Sequence, residues 1–85
     1  MTSYRVFIAT DVIMALRKCN AADKFKITRL FDELSGNPFL PGDYAEHDDI
    51  GRPVQVLIIG RHAVCYWADH AVKEVKVLDL NVAGN

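Results

Sequence analysis

Hydrophobic positions in the first half of the chain follow a strand period and then a helix period. Residues 4–9, Tyr-Arg-Val-Phe-Ile-Ala, are rich in β-branched and aromatic types and predict an opening strand. Thr10 and Asp11 offer oxygens suited to a helix N-cap, and Val12, Ile13 and Leu16 lie on one side of a short helix ending near Cys19. Asn20, with Asp23 three residues later, predicts the cap of a second helix. Within it Ile27, Leu30, Phe31 and Leu34 fall at i, i+3, i+4 and i+7, which makes one buried stripe. Gly36 suits the left-handed position after a helix, and Pro38 prevents continuation.

Residues 37–53 change character. Asn37-Pro38-Phe39-Leu40-Pro41-Gly42-Asp43 is turn-rich, Asp43, Glu46, Asp48 and Asp49 form an acidic run, and Gly51-Arg52-Pro53 closes it. This pattern predicts a loop with one short edge strand near Tyr44 to His47. Residues 54–82 predict an antiparallel meander with strands over Val54 to Ile59, His62 to Ala68 and Glu74 to Val82. Gly60-Arg61 fits a two-residue turn of the type II′ pattern, which pairs Ile59 with His62, Leu57 with Val64 and Gln55 with Tyr66. One face of that hairpin then carries Leu57, Ile59, Val64 and Tyr66, and the other carries Val56, Ile58, Ala63, Cys65 and Trp67. Both faces are apolar, and two helices can cover one of them. The uncovered face is expected to meet a partner or a second copy of the chain, the alternative being cover from the C-terminal tail or the acidic loop. The Asp69-to-Val72 turn decides which face is which, since a one-residue slip exchanges them.

Composition narrows the picture. At 85 residues, with 51% hydrophobic and 25% charged, the chain reads as one globular domain over residues 1–85, only marginally able to bury its own core. The net charge of −1 argues against a protein held to nucleic acid mainly by charge. That charge is uneven: residues 1–36 hold six basic and four acidic groups, and residues 37–85 hold four and seven. No apolar stretch is long enough for a membrane span, and the N-terminus lacks a signal-peptide core. Cys19 and Cys65 match no metal spacing, so a cytoplasmic protein with reduced thiols, no metal and no cofactor is expected.

Four segments carry a resemblance. They are Phe31-Asp32-Glu33-Leu34 running into Asn37-Pro38-Phe39, Gly51-Arg52 before the meander, Gly60-Arg61-His62-Ala63-Val64-Cys65-Tyr66-Trp67, and Glu74-Val75-Lys76-Val77-Leu78-Asp79-Leu80. Taken in order, strand, two helices and meander, the chain resembles the RelE/ParE superfamily of toxin–antitoxin toxins over nearly its whole length. The resemblance implies an α+β fold with an N-terminal strand, a two-helix hairpin and a three- to four-stranded antiparallel meander, here with no C-terminal helix. It implies a cytoplasmic toxin, of the class associated with plasmid stabilisation, neutralised by a cognate antitoxin. RelE-like members cut mRNA on the ribosome without a metal, and ParE-like members poison DNA gyrase. Cleavage needs a group to activate the 2′-hydroxyl, cations for the developing phosphorane charge and an acid for the leaving oxygen. The family places Lys and Arg on the sheet and Arg, Tyr or His near the C-terminus for this work.

This sequence departs from that pattern. Ala63 stands where the family commonly has an Arg, the strand Val54-Gln55-Val56-Leu57-Ile58-Ile59 carries no cation, and Asn81-Val82-Ala83-Gly84-Asn85 has no Arg, Tyr or His. The replacement catalytic set is Arg61, His62 and Arg52, with His62 chosen among the three histidines because it adjoins Arg61 and shares a face with Tyr66. Against this, Arg52 and Arg61 read equally as turn arginines, with Arg52 neutralising Asp48 or Asp49, and His47, His62 and His70 as surface or edge residues. Tyr66 and Trp67 point to opposite faces, one into the core and the other free to stack on a base or fill an antitoxin pocket. Arg17, Lys18, Lys24, Lys26 and Arg29 form a basic helical surface that suits ribosomal RNA or simply solvent. Two function classes follow: a ribosome-dependent endoribonuclease toxin, or a non-catalytic module of the same fold that inhibits gyrase by contact or dimerises through its apolar face.

Overall fold

The computed structural model describes residues 3–82. The chain runs β1 (Arg5–Ile8), α1 (Thr10–Arg17), α2 (Ala21–Gly36), β2 (Tyr44–His47), β3 (Pro53–Ile59), β4 (His62–Asp69) and β5 (Glu74–Val82). The strands form one five-stranded sheet in the order β1-β5-β4-β3-β2. From β2 to β5 the sheet is the antiparallel meander that the alternation predicts. β1, by contrast, lies parallel to β5, with Val6 opposite Val75 and Ile8 opposite Val77. A parallel pair needs a long crossover, and the two helices with the rest of the sheet supply it.

The helix ends differ in part from the sequence reading. At α2 the Asn20 side chain accepts a 2.8 Å hydrogen bond from the Asp23 backbone N–H, as the spacing predicts. At α1 neither Thr10 nor Asp11 is the cap. Thr10 is already helical, and Ala9 occupies the cap position with no side-chain bond. Its backbone is tied instead to β5, through an Ala9 N–H to Val77 carbonyl bond of 3.1 Å. Strand pairing thus fixes where this helix begins. Gly36 is the last helical residue and Asn37 follows it at φ −140°, so the turn toward Pro38 uses extended backbone rather than a left-handed glycine.

The core lies between the helices and one sheet face. Val12 of α1 and Ile27, Leu30, Phe31 and Leu34 of α2 pack with Val64, Tyr66, Val75, Val77 and Leu80. Each fully buried apolar side chain contributes about 1.5–3 kcal/mol. The β3–β4 register is the one the Gly60-Arg61 turn demands, with Gly60 at φ +59°. A bulge at Cys65/Tyr66 shifts the β4–β5 register. Alternation along β5 from Val75 and Val77 would next bury Asp79. The irregularity breaks that count, so Asp79 stays exposed and Leu80 is buried. The expectation of no closing helix bears on residues 83–85, which lie outside the described residues.

Leu34→Ala should therefore lower the stability by about 2–5 kcal/mol, read as a lower urea midpoint at unchanged slope. Ile50→Ala, at a side chain 78% exposed, should change it by no more than about 0.5 kcal/mol. Equal effects of the two would contradict this placement of the core.

Candidate functional site on the open sheet face

Tyr66 and Trp67 divide as adjacent strand residues must. Tyr66 enters the helix-packed core, and its hydroxyl donates to the Leu40 carbonyl at 3.1 Å. Burial first, then the negative charges of Asp43 and Glu33, push its hydroxyl up to about 12. Trp67 lies on the other face with Cys65 and Ala63. The Arg52 guanidinium sits 4.2 Å from the centre of the Trp67 ring, and the Lys76 ammonium 5.3 Å from it. The indole N–H is buried and finds no acceptor among the described residues. A buried donor without a partner is costly.

Arg52 is aimed by the loop before β3. Its Nε donates to Asp48 at 2.7 Å, and its terminal nitrogen lies 2.6 Å from the same oxygen. Although desolvation pulls upward, the backbone N–H groups of Arg52 and Ile50 and the Arg52 side chain together hold the Asp48 carboxyl below its ordinary range. At the start of β3 a cleft of about 440 Å³ leads from this stack toward the helix side of the sheet, lined there by Phe39, Leu40, Gln55, Tyr66 and His70. His70 stacks on Phe39 with centroids 4.6 Å apart and shares a 2.8 Å hydrogen bond with the Tyr4 hydroxyl. Lys76 and His70 have no conspicuous sequence motif. The register opposite Trp67 is what identifies Lys76.

The proposed catalytic trio is not assembled. Arg52 precedes β3, whereas Arg61 and His62 lie at its far end, and seven strand residues span about 20 Å. Arg61 is exposed. His62 faces the helices, with Nε2 3.5 Å from Cys19 Sγ and Nδ1 3.4 Å from an Asp23 carboxylate oxygen. Arg17, Lys18, Lys24, Lys26 and Arg29 are all exposed on the helical layer, across the sheet from Trp67. Among the described residues no group of three or more His, Cys, Asp or Glu side chains is placed to hold a metal, and no helix is long and apolar enough to cross a membrane.

No family model matches the chain, and no curated protein matches it in sequence. Solved structures do. A chain of the archaeal RelE–RelB complex from Pyrococcus horikoshii OT3 superposes with a TM-score of 0.82 at 23% identity, covering 99% of each chain. The chain has a RelE-like toxin fold. A RelBE toxin–antitoxin complex from Mycobacterium tuberculosis gives 0.76 at 17% identity, over 95% of this chain and 99% of the other. A mutant of E. coli toxin RelE in the free state gives 0.71 at 10% identity, over 96% and 85%. The RelE-like architecture is thus shared at identities where side-chain chemistry has largely changed.

The buried Tyr66 hydroxyl has a consequence for pH dependence. Its folded value of about 12 exceeds the ordinary 10, so above pH 10 the unfolded chain releases this proton while the folded one retains it. Stability should fall as pH rises from 10 toward 12, and Tyr66→Phe should flatten that fall in urea titrations at stepped pH. An unchanged alkaline slope in the variant would contradict the assignment.

Proposed function

We propose that the chain is the toxin of a toxin–antitoxin pair, with a cognate antitoxin as its partner, acting in the cytoplasm on translation through the open sheet face. The observation that supports this most is the whole-chain match to a chain of the RelE–RelB complex from Pyrococcus horikoshii, together with an aromatic and two cations on the face the helices leave free. Arg52 and Lys76 offer charge to a phosphate, and Trp67 offers a ring for base stacking once Arg52 swings to that phosphate. In the finer reading the toxin is a ribosome-dependent mRNA endoribonuclease, and the ribosome presents the message to this face.

A second reading is favoured by one observation. Arg52 and the Arg61–His62 pair stand at opposite ends of β3, so they cannot serve one phosphate together. A module that has kept the fold and acts by contact, on gyrase or through self-association, needs no such cluster.

Controlled induction of the chain in bacteria separates these readings. Growth arrest is expected, relieved by Trp67→Ala or Arg52→Ala at equal soluble expression and untouched by Arg61→Ala. Primer extension on a reporter mRNA should then show cuts within translated codons that disappear when initiation is blocked. Arrest without such cuts would select the contact reading, and a stable dimer in sedimentation would point to self-association. Normal growth with abundant folded protein would overturn the toxin assignment in that host.

A further inference from the structure

Three side chains that the proposed function leaves unused meet where the helix pair touches the β3–β4 turn. The order is thiol, imidazole, carboxylate: Cys19 Sγ lies 3.5 Å from His62 Nε2, and His62 Nδ1 lies 3.4 Å from Asp23 Oδ2. The His62 and Asp23 side chains are only 15% and 11% exposed. The buried His62 Nδ1 makes no conventional hydrogen bond among the described residues, which leaves the Asp23 carboxylate as its near acceptor. Room for that carboxylate comes from Gly60, where an added Cβ would stand 2.7 Å from Asp23 Oδ1. A groove of about 330 Å³ opens to the imidazole from solvent, between Met14, Ala15 and Lys18 of the α1 segment and Leu80 of β5.

This order is that of an activated nucleophile. Burial first, and then the charge of Asp23, push the Cys19 thiol up, with Lys24 opposing. The sulfur therefore holds its proton at rest and needs a base. His62 Nε2 is placed to take that proton, while Asp23 orients the ring and favours the imidazolium that forms. Cys65 supplies a contrast within the same chain. Its thiol is also raised, by burial and by Asp79 and Glu46, and among the described residues it makes no hydrogen bond to an imidazole such as Cys19 makes.

We propose that Cys19 is a site of thiol–disulfide exchange with low-molecular-weight disulfides, His62 serving as proton acceptor and Asp23 as a positioning residue. The Sγ proton passes to His62 Nε2, and the sulfur lone pair forms a bond to one sulfur of the disulfide. The disulfide's own S–S bond breaks, and its second sulfur leaves as a thiolate that takes the proton from the imidazolium. Cys19 ends oxidised as a mixed disulfide, and half of the reagent ends reduced to a thiol. Sγ is also 3.6 Å from the Ala15 carbonyl, so an adduct there would press on the α1–α2 corner.

The test uses the folded full chain and 5,5′-dithiobis(2-nitrobenzoate), with Cys65→Ser and Cys19→Ser isolating each thiol. Cys19 is expected to react about tenfold faster than Cys65, and His62→Gln should remove about that factor from Cys19 alone. The charged groups around the imidazole are Asp23 and Lys24 on α2, with Asp11 and Lys18 lining the groove. Added free imidazole should restore part of the rate that His62→Gln removes from Cys19, and Asp23→Asn should slow Cys19 while leaving Cys65 unchanged, which packing alone would not do. Should His62→Gln fail to fold by circular dichroism, Asp23→Asn and the Cys19-to-Cys65 ratio decide. A Cys19 rate no greater than that of Cys65, or one indifferent to the folded variants, would overturn the proposal.

Discussion

Two helices can cover only one face of a five-stranded sheet, and the rest of this molecule depends on how that cover is made. The stripe Ile27, Leu30, Phe31 and Leu34 packs on Val64, Tyr66, Val75, Val77 and Leu80, and Val12 joins from α1. Strand side chains alternate, so seating Tyr66 under the helices sends Trp67 to the open side. The same parity brings His62 in toward Cys19 and Asp23. One packing decision thus positions both the Arg52–Trp67–Lys76 stack and the thiol–imidazole pair, on opposite sides of the sheet.

The open face is less bare than its apolar sequence suggests. Val56 is buried there without joining the helix-packed cluster, and its register neighbours are Tyr44 on one side and Cys65 on the other. The close approach of Gly42 to the Val56 backbone, where an added Cβ would stand 2.5 Å from the Val56 carbonyl oxygen, and the Tyr44 side of the pairing crowd this valine at the sheet itself. The acidic loop contributes too: Asp48 anchors Arg52, which lies over Trp67. This is the loop cover that the sequence offered as the alternative to a partner, but it extends over one end of the face. Exposed Ile58 and half-buried Trp67 remain available.

Much of the fold was legible because local signals and packing agreed. The α2 stripe, its Asn20 cap, the β3–β4 pairing and the short edge strand at Tyr44–His47 all have a periodic or turn-based cause within a few residues. Long-range causes were not legible. The start of α1 is fixed by Ala9 bonding to Val77, and the parallel pairing of β1 with β5 joins segments at opposite ends of the chain. The bulge that buries Leu80 instead of Asp79 is likewise a register event between two strands. At the site, Arg52 with Asp48 could be anticipated from adjacency. Lys76 beside Trp67, and Cys19 and Asp23 beside His62, are tertiary meetings with no shared spacing.

The cations on the open face are tethered rather than free, and this bears on what the face can do. Arg52 is held by Asp48, and Lys76 lies 3.6 Å from Asp69. Both carboxylates stand near solvent, where ion pairs are weak, so exchanging one for a phosphate oxygen costs little. The Asp48 pairing also keeps the guanidinium over the indole, which limits the side-chain entropy lost when a ligand arrives. Such an arrangement suits reversible binding of an anionic backbone, and the Trp67 ring becomes free for stacking when Arg52 swings off it. It is less suited to stabilising a developing phosphorane, because that task needs uncompensated charge at the reacting atoms. If cleavage occurs on this surface, binding must first draw Arg52 or Lys76 away from its carboxylate, and the nucleic acid itself then completes the electrostatics of the site.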